Sequence, residues 1–325
     1  MAVESARCPV HADATLRPDV VRALDRFWGT DGEFSYGACP TCGTWVLDPR
    51  PVPADMGPHY AHYYSDGQIE DQRRAFEKHK PEVALGIDRL RALDTIKRLG
   101  KLGATFGPET QVLDAGCGLG GVLRSVRDET GAQVRGLDFN PRCRTFAAEV
   151  HDLEVDTGEL ADQAYEDGRF DVVTSWHCLE HTYDPAAELR ELNRITRPGG
   201  YLVLEVPTIT WIGRVFRGRW LFLQAPTHLF HFRPKTLRTL VTGAGYRVLQ
   251  LKRPWLPSEF AGSVLMALGM KGFAPRLLVS GKPLRDHLWG LLMGLLLLVD
   301  VPLTILTALL GDAGVVRIVA QREDV

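Results

Sequence analysis

An α/β fold built on one seven-stranded, mainly parallel sheet is predicted for residues 109–325 of this chain. Three observations lead there. From residue 111 onward short β-rich runs alternate with helical segments, the rhythm of a parallel sheet with crossover connections. The first run opens directly into a glycine-rich loop, Asp114-Ala-Gly116-Cys-Gly118-Leu-Gly120-Gly121, which leads into a helix. An acid, Asp138, ends the second run about twenty residues later, the spacing at which a carboxylate meets a ribose held over such a loop.

Residues 1–65 are rich in Pro, Gly, Cys and aromatics and lack a long helical period, so they predict a small module of short strands and loops around a local staple. Residues 66–108 predict a linking amphipathic helix, because Leu85, Ile87, Leu90, Leu93, Ile96 and Leu99 recur at helical spacing among charges. Strands follow at 111–114, 133–138, 153–155, 170–175, 201–206, 246–251 and 315–320. Helices fit at 121–130, 141–150, 185–195 and 235–243. The stretch 255–314, between the sixth and seventh strands, is too long for a plain connection and predicts an apolar helical insertion. Within it, 287–310 is nearly all Leu, Val, Met and Ile, interrupted by Asp300 and Pro302. Two readings stay open: a hairpin buried against the sheet and broken at Asp300-Val-Pro302, or a helix lying in a lipid interface.

Hydrophobic residues at 45% and charged residues at 24% exclude a disordered or fibrous chain. A net charge of -2 disfavours a dedicated nucleic-acid binder. The charge is uneven, since residues 211–285 hold thirteen Lys or Arg and one acid, Glu259. Beside the apolar run, that excess predicts peripheral membrane contact through 211–310. The first residues carry no apolar signal core, so the expected compartment is the cytoplasm, with the inner face of the membrane as the site of any lipid contact.

The glycine loop alone is ambiguous. Gly116, Gly118 and Gly120 fit a G-x-G-x-G pattern, and Gly116, Gly118 and Gly121 fit the G-x-G-x-x-G of dinucleotide enzymes. Asp114 separates the two, because a carboxylate there suits a cationic ligand and repels a pyrophosphate. Further on stand Phe170-Asp171-Val-Val-Thr-Ser-Trp176-His177-Cys-Leu-Glu180-His181, Asp184-Pro185 and Arg197-Pro198-Gly199-Gly200. With the loop, these closely resemble the class I S-adenosylmethionine-dependent methyltransferases, especially the branch of ubiquinone-biosynthesis-type and deoxysugar enzymes.

The resemblance implies a Rossmann-like methyltransferase sheet and S-adenosylmethionine as cofactor. It implies that Gly116, Gly118 and Gly120 line the methionine and ribose, and that Asp138 holds the ribose hydroxyls. Glu159 and Leu160 would flank the adenine, and Trp176 with His177 would close the donor site. Methyl transfer is an in-line displacement in which the protein supplies alignment, desolvation and, for a weakly acidic acceptor, a base. His177, Glu180, His181, His228 and His231 are the candidates, with bracing of the adjacent helix as the competing role. His177-x-x-Glu180-His181 formally matches a zinc-protease signature, but it follows a strand instead of lying on a long helix.

Cys8-Pro-Val-His11 and Cys39-Pro-Thr-Cys42 are two ligand pairs at the spacing of a tetrahedral zinc site. Four protein ligands leave no open position, so a zinc here is structural and makes 1–65 a zinc-ribbon-like module with a core separate from that of the glycine loop. A zinc ribbon ahead of such a domain resembles the arrangement in deoxysugar C-methyltransferases, which implies that Tyr60, His62, Tyr63 and Tyr64 wall an acceptor pocket; the competing and favoured reading is that they pack the module against the sheet. The expected function is methyl transfer to a small-molecule, sugar or lipid-linked acceptor. The alternatives are a zinc-ribbon adaptor with a non-catalytic domain and a nicotinamide-dependent oxidoreductase.

Overall fold

A computed structural model of the chain describes residues 1–273 and 284–323. Near the N-terminus β1 (Val3–Glu4) pairs with β5 (Arg50–Pro51), while β2 (Arg17–Leu24), β3 (Glu33–Ala38) and β4 (Trp45–Leu47) form an antiparallel sheet. The main sheet contains β6 (Gln111–Ala115), β7 (Gln133–Asp138), β8 (Val155–Thr157), β9 (Phe170–Trp176), β10 (Thr196–Pro207), β12 (Tyr246–Lys252) and β13 (Val315–Arg322). Their order is β12-β13-β10-β9-β6-β7-β8, with β13 antiparallel to both neighbours. The seven strands therefore form the Rossmann-like methyltransferase sheet that the sequence predicts. The winding direction reverses between β6 and β9, and the crevice outside the carboxyl ends of such strands is where open α/β sheets bind ligands.

The first sheet does not stand alone. β11 (Phe230–His231), from the loop before the sixth main strand, pairs with β4 and completes it. One buried cluster joins Tyr36, Trp45, Val46 and Leu47 to Leu113, Leu204, Trp220 and Phe232. The N-terminal segment thus shares a core with the face of the main sheet, unlike the separate core expected from its composition.

The predicted linking helix is broken into two longer helices, α1 (Asp66–Lys78) and α2 (Ile87–Lys101), with a single helical turn, Pro81–Ala84, between them. Pro81 lacks an amide hydrogen and holds Lys80 extended, and Gly86 takes φ +53° before α2 begins. α2 packs on α3 (Gly121–Thr130), the helix that the glycine loop opens. Later come α4 (Pro141–His151), α5 (Pro185–Ile195), α6 (Pro234–Gly243) and α7 (Glu259–Ala267).

The apolar insertion ends in one continuous helix, α8 (Leu284–Leu309), which runs through Pro302 without a break. The buried hairpin is therefore not formed. Asp300, in place of ending a helix, caps its neighbour: its carboxylate accepts from the amides of Ser258, Phe260 and Ala261 at 2.7, 2.7 and 3.0 Å, at the start of α7.

Candidate functional site

β6 is buried on both faces and delivers the glycine loop to the crevice. Gly116 (φ +81°) and Gly118 (φ +53°) need to be glycine for space as well as conformation. A Cβ on Gly116 would lie 2.8 Å from Cys178, and one on Gly118 would overlap the Tyr64 hydroxyl. Gly120 (φ +85°) sits at the N-terminus of α3. Asp138, at the end of β7, accepts from the amides of Gly118 and Asn140, each at 2.9 Å. The carboxylate thereby organises the loop, with the Cys143 thiol as a further partner, and is not itself among the residues that line the adjoining cavity.

Beside the loop lies a cavity of about 360 Å³ lined by Asp114, Gly116, Gly118 and Trp176, with Asp88 and Arg91 of α2 on the facing wall and Tyr64 at its side. Its volume is that of a small-molecule site. Asp114 is 1% exposed and accepts from Thr174 Oγ1 at 2.6 Å; burial pushes its carboxyl up to about 7, a group that a cation would ionise. Trp176 Nε1 is buried without a partner. Arg91 lies over the same indole at 5.5 Å from the ring centre, and Arg317 at 4.9 Å. The buried acid, the unpaired donor and the arginine that line the cavity match the cationic end and the carboxylate of the methionine part of S-adenosylmethionine. The residues present fit that cofactor. Of the adenine candidates, Glu159 is exposed and Leu160 is buried in the core, and neither lines this cavity.

Glu205 of β10, which sequence reasoning missed, anchors the end of the crevice. It is register partner to Arg317 of β13, which meets it at 2.6 Å; His177 Nε2 lies at 3.2 Å and Arg91 at 3.4 Å. Burial alone would raise Glu205, but the hydrogen bond and charge of His177 with the two arginines outweigh it and bring the carboxyl to about 2. His177, in the left-handed region at φ +52°, is opposed by burial yet held at about 9 by Glu205 and Glu180, so it is an imidazolium at neutral pH. The signal for the pair was a lone acid in Leu-Val-Leu-Glu205-Val and a lone arginine in Val-Val-Arg317-Ile.

The structure brings Glu180, His181 and His228 together, their ligand atoms within 4.8 Å of one another. Glu180 is fully buried with both oxygens lacking hydrogen bonds; His177 is 3.6 Å away and His228 4.0 Å. His228 is buried, donates Nδ1–H to Phe222 O at 2.9 Å, and is pushed well below the usual histidine range by burial. His231 is fully buried against Tyr36, Trp45 and Trp220 and is lowered to about 3 by burial. His181 differs. It is half-buried and lowered by burial, and its Nδ1 bonds Thr227 O at 2.8 Å. Its ring meets Tyr60, Tyr63 and His228, and Phe139 packs on Tyr60.

At the N-terminus Cys8, His11, Cys39 and Cys42 converge. Cys8 Sγ lies 3.6 Å from Cys42 Sγ and 3.7 Å from His11 Nδ1, and Cys39 Sγ lies 3.8 Å from that nitrogen. Bonds of about 2.3 Å to sulfur give tetrahedral edges of about 3.8 Å, so the four donors fit zinc. Burial raises Cys8 to about 12; it opposes ionisation of Cys42 too, but hydrogen bonds with Thr44 and Thr236 bring that thiol to about 6.

The sheet order and the loop–carboxylate pair define a class I S-adenosylmethionine-dependent methyltransferase domain. Residues 85–251 match the family described as Methyltransferase domain, and the chain belongs to it. Over 100 residues the chain is 40% identical to a ubiquinone biosynthesis O-methyltransferase of Albidiferax ferrireducens, covering 28% of this chain and 39% of the relative. Over 111 residues it is 34% identical to the chloroplastic tocopherol O-methyltransferase of Arabidopsis thaliana, covering 32% and 31%. The chain thus spans about a third to a half of the length of the curated relatives it matches. A solved structure assigned as a sarcosine dimethylglycine methyltransferase, from Galdieria sulphuraria, shares the fold with a TM-score of 0.54 at 16% identity, over 80% of this chain and 99% of that one. The cyclase SpnF does so at 0.52 and 18%, over 84% and 97%.

Proposed function

We propose that this protein transfers a methyl group from S-adenosylmethionine to a hydrophobic small-molecule acceptor, with His181 as the base. The observation that carries the reading is the pairing of the cofactor-shaped cavity with an adjacent aromatic wall that contains one neutral, half-buried histidine. When bound, the cofactor supplies an electrophilic methyl on sulfur. Asp138 holds the ribose, Asp114 faces the cationic end, and Arg91 with Trp176 Nε1 receives the methionine carboxylate. His177 is already protonated and orients Glu205; it is not the base. His228 and His231 are walled off from the crevice by their burial. His181, with Nδ1–H donated to Thr227, presents Nε2 to take a proton from an acceptor whose ring lies on Tyr60 and Tyr63. The named relatives act, by their names, in ubiquinone biosynthesis and on tocopherol, which supports a prenylated ring as acceptor. The Cys8, His11, Cys39 and Cys42 cluster is assigned a structural zinc.

The test has two parts. Calorimetric titration of the purified protein should give binding of S-adenosylmethionine and S-adenosylhomocysteine and none of NAD; the opposite pattern overturns the cofactor. Labelled methyl transfer should then be assayed on prenylated hydroquinones and on sugar nucleotides. His181→Ala should lower turnover roughly 100-fold while leaving cofactor affinity unchanged. Transfer only to sugar nucleotides would overturn the acceptor class, and an active His181→Ala would overturn the base.

A further inference from the structure

The helix α8 is inside out for a water-facing element. In its second half the polar side chains point into the protein: Asp300 is fully buried at the start of α7, Thr304 accepts from Trp255 Nε1 at 2.7 Å, and Thr307 is 8% exposed. The opposite flank carries Leu288, Leu291, Leu295, Leu298, Leu306 and Leu309, each between 54% and 80% exposed. Spacings of three and four residues, with the exposed Pro302 midway between Leu298 and Leu306, make them one stripe, and no charged side chain lies on it from His287 to Leu309. Only 11% of this segment is buried, so it is not a core helix. From Leu288 to Leu309 the stripe extends for about 32 Å, far more apolar surface than scattered exposed leucines account for.

We propose that this stripe docks on an anionic lipid bilayer, with the helix lying in the plane of the interface. The in-plane geometry follows from how α8 is held. Its first half packs through Trp289, Leu292, Met293 and Leu296 on Leu265, Met270 and Phe273. Its second half is tied by Asp300 to α7 and by Thr304 to Trp255, and Arg253 hydrogen-bonds the carbonyls of Gly311 and Ala313 just beyond it. One flank is thus fixed to the protein from end to end, and the helix can offer lipid only its other side.

Charge selects the occupant. At the C-terminal end of α8 Arg253 is paired with Asp312 at 3.1 Å, and the segment that carries Arg214, Arg217 and Arg219 packs on α7, the helix that holds α8. Arg26 feels Arg219. Arg214, Arg217 and Arg219 are exposed around the exposed Val215. Two copies of this face would bring those arginines against each other, whereas anionic headgroups complement them. Of the basic residues that the sequence groups with this helix, Arg276 and Lys282 lie outside the described residues. The proposal stands apart from the methyl-transfer reading, because none of these residues touches the cofactor cavity.

The experiment is co-sedimentation of the full chain with vesicles of phosphatidylcholine alone and of phosphatidylcholine mixed with phosphatidylglycerol, at low and high salt. Binding should favour the mixed vesicles and weaken with salt. Leu295→Glu with Leu298→Glu, both on the exposed stripe, should weaken partitioning at least about tenfold, with circular dichroism and cofactor titration unchanged. Arg214→Glu with Arg217→Glu should remove the preference for phosphatidylglycerol. Protein that stays in the supernatant with every vesicle overturns the proposal, as does undiminished binding of the leucine variant. Equal binding to neutral and anionic vesicles overturns the charge assignment. A dimer in light scattering that the leucine variant converts to monomer, without vesicle binding, would give the face to a second copy.

Discussion

Replacing Asp138 separates its two tasks. Its oxygens accept from the amides of Gly118 and Asn140, both at 2.9 Å, and in the proposed function the same carboxylate takes the ribose hydroxyls. Asp138→Ala removes the charge-assisted bonds to the ribose, a loss of about 1 to 3 kcal/mol, or about 5- to 150-fold in cofactor dissociation constant. Asp138→Asn is isosteric but not milder. An amide has one oxygen, so its NH₂ must face either the Gly118 or the Asn140 amide, donor against donor. That contact removes one of the two bonds that shape the loop, so the asparagine variant should bind S-adenosylmethionine no better than the alanine variant. Calorimetric titration with S-adenosylmethionine and S-adenosylhomocysteine measures both constants, and thermal melting reports the loop's share in stability. An asparagine variant with wild-type affinity would refute the reasoning, since it would mean that the carboxylate holds neither the loop nor the ribose as described.

Cofactor affinity should depend on pH through Asp114. Its carboxyl is raised to about 7 in the folded protein, above its unfolded value near 4, so the folded state retains this proton between those limits and stability falls as pH rises through that window. A cationic ligand binds the ionised form, so affinity should rise with pH by up to about tenfold per unit below 7 and level off above it. Asp114→Asn should flatten the profile in calorimetry, and an unaltered slope would rule out this group. The protein should carry about one zinc per chain by elemental analysis, and Cys39→Ser or Cys42→Ser should release it. Because the N-terminal strands share a core with the main sheet, those variants should lower the melting temperature of the whole chain in one transition. A metal-free protein with unchanged melting would exclude the site.

Much of this was legible in the chain. Strand and crossover periodicity marked seven strands, and the glycines with Asp138 marked the crevice, because those features obey local rules of spacing and backbone freedom. The charged hub did not stand out, since Glu205 and Arg317 meet only through the pairing of strands more than a hundred residues apart. Asp88 and Arg91 carry no motif of their own among the charges of the amphipathic segment, yet they form a cavity wall. Asp300 and Pro302 suggested a break, yet the acid finds its partners across space at the start of α7. Tyr64 was placed with the acceptor wall, but its ring stands beside Gly118.

Tyr64, Asp88 and Arg91 together change how the chain divides. The glycine loop, Asp114 and Asp138 come from the main sheet, but the facing wall comes from α2 and from the segment that follows the cysteine cluster. A sheet of this kind also carries a cyclase, so the fold by itself leaves the chemistry open. What narrows it here is the set of groups added to the fold: a buried acid at about 7 beside a cationic pair of arginines, with an unpaired indole donor between them. Buried acids and unsatisfied donors both cost stability unless a ligand meets them. Asp114 and Trp176 on the sheet side with the glycine loop, and Arg91 on the facing helix, make a binding cleft assembled from separate stretches of sequence. Through Tyr64 the N-terminal segment is part of that cleft, and through Tyr36, Trp45 and Leu47 it is part of the core that carries the main sheet.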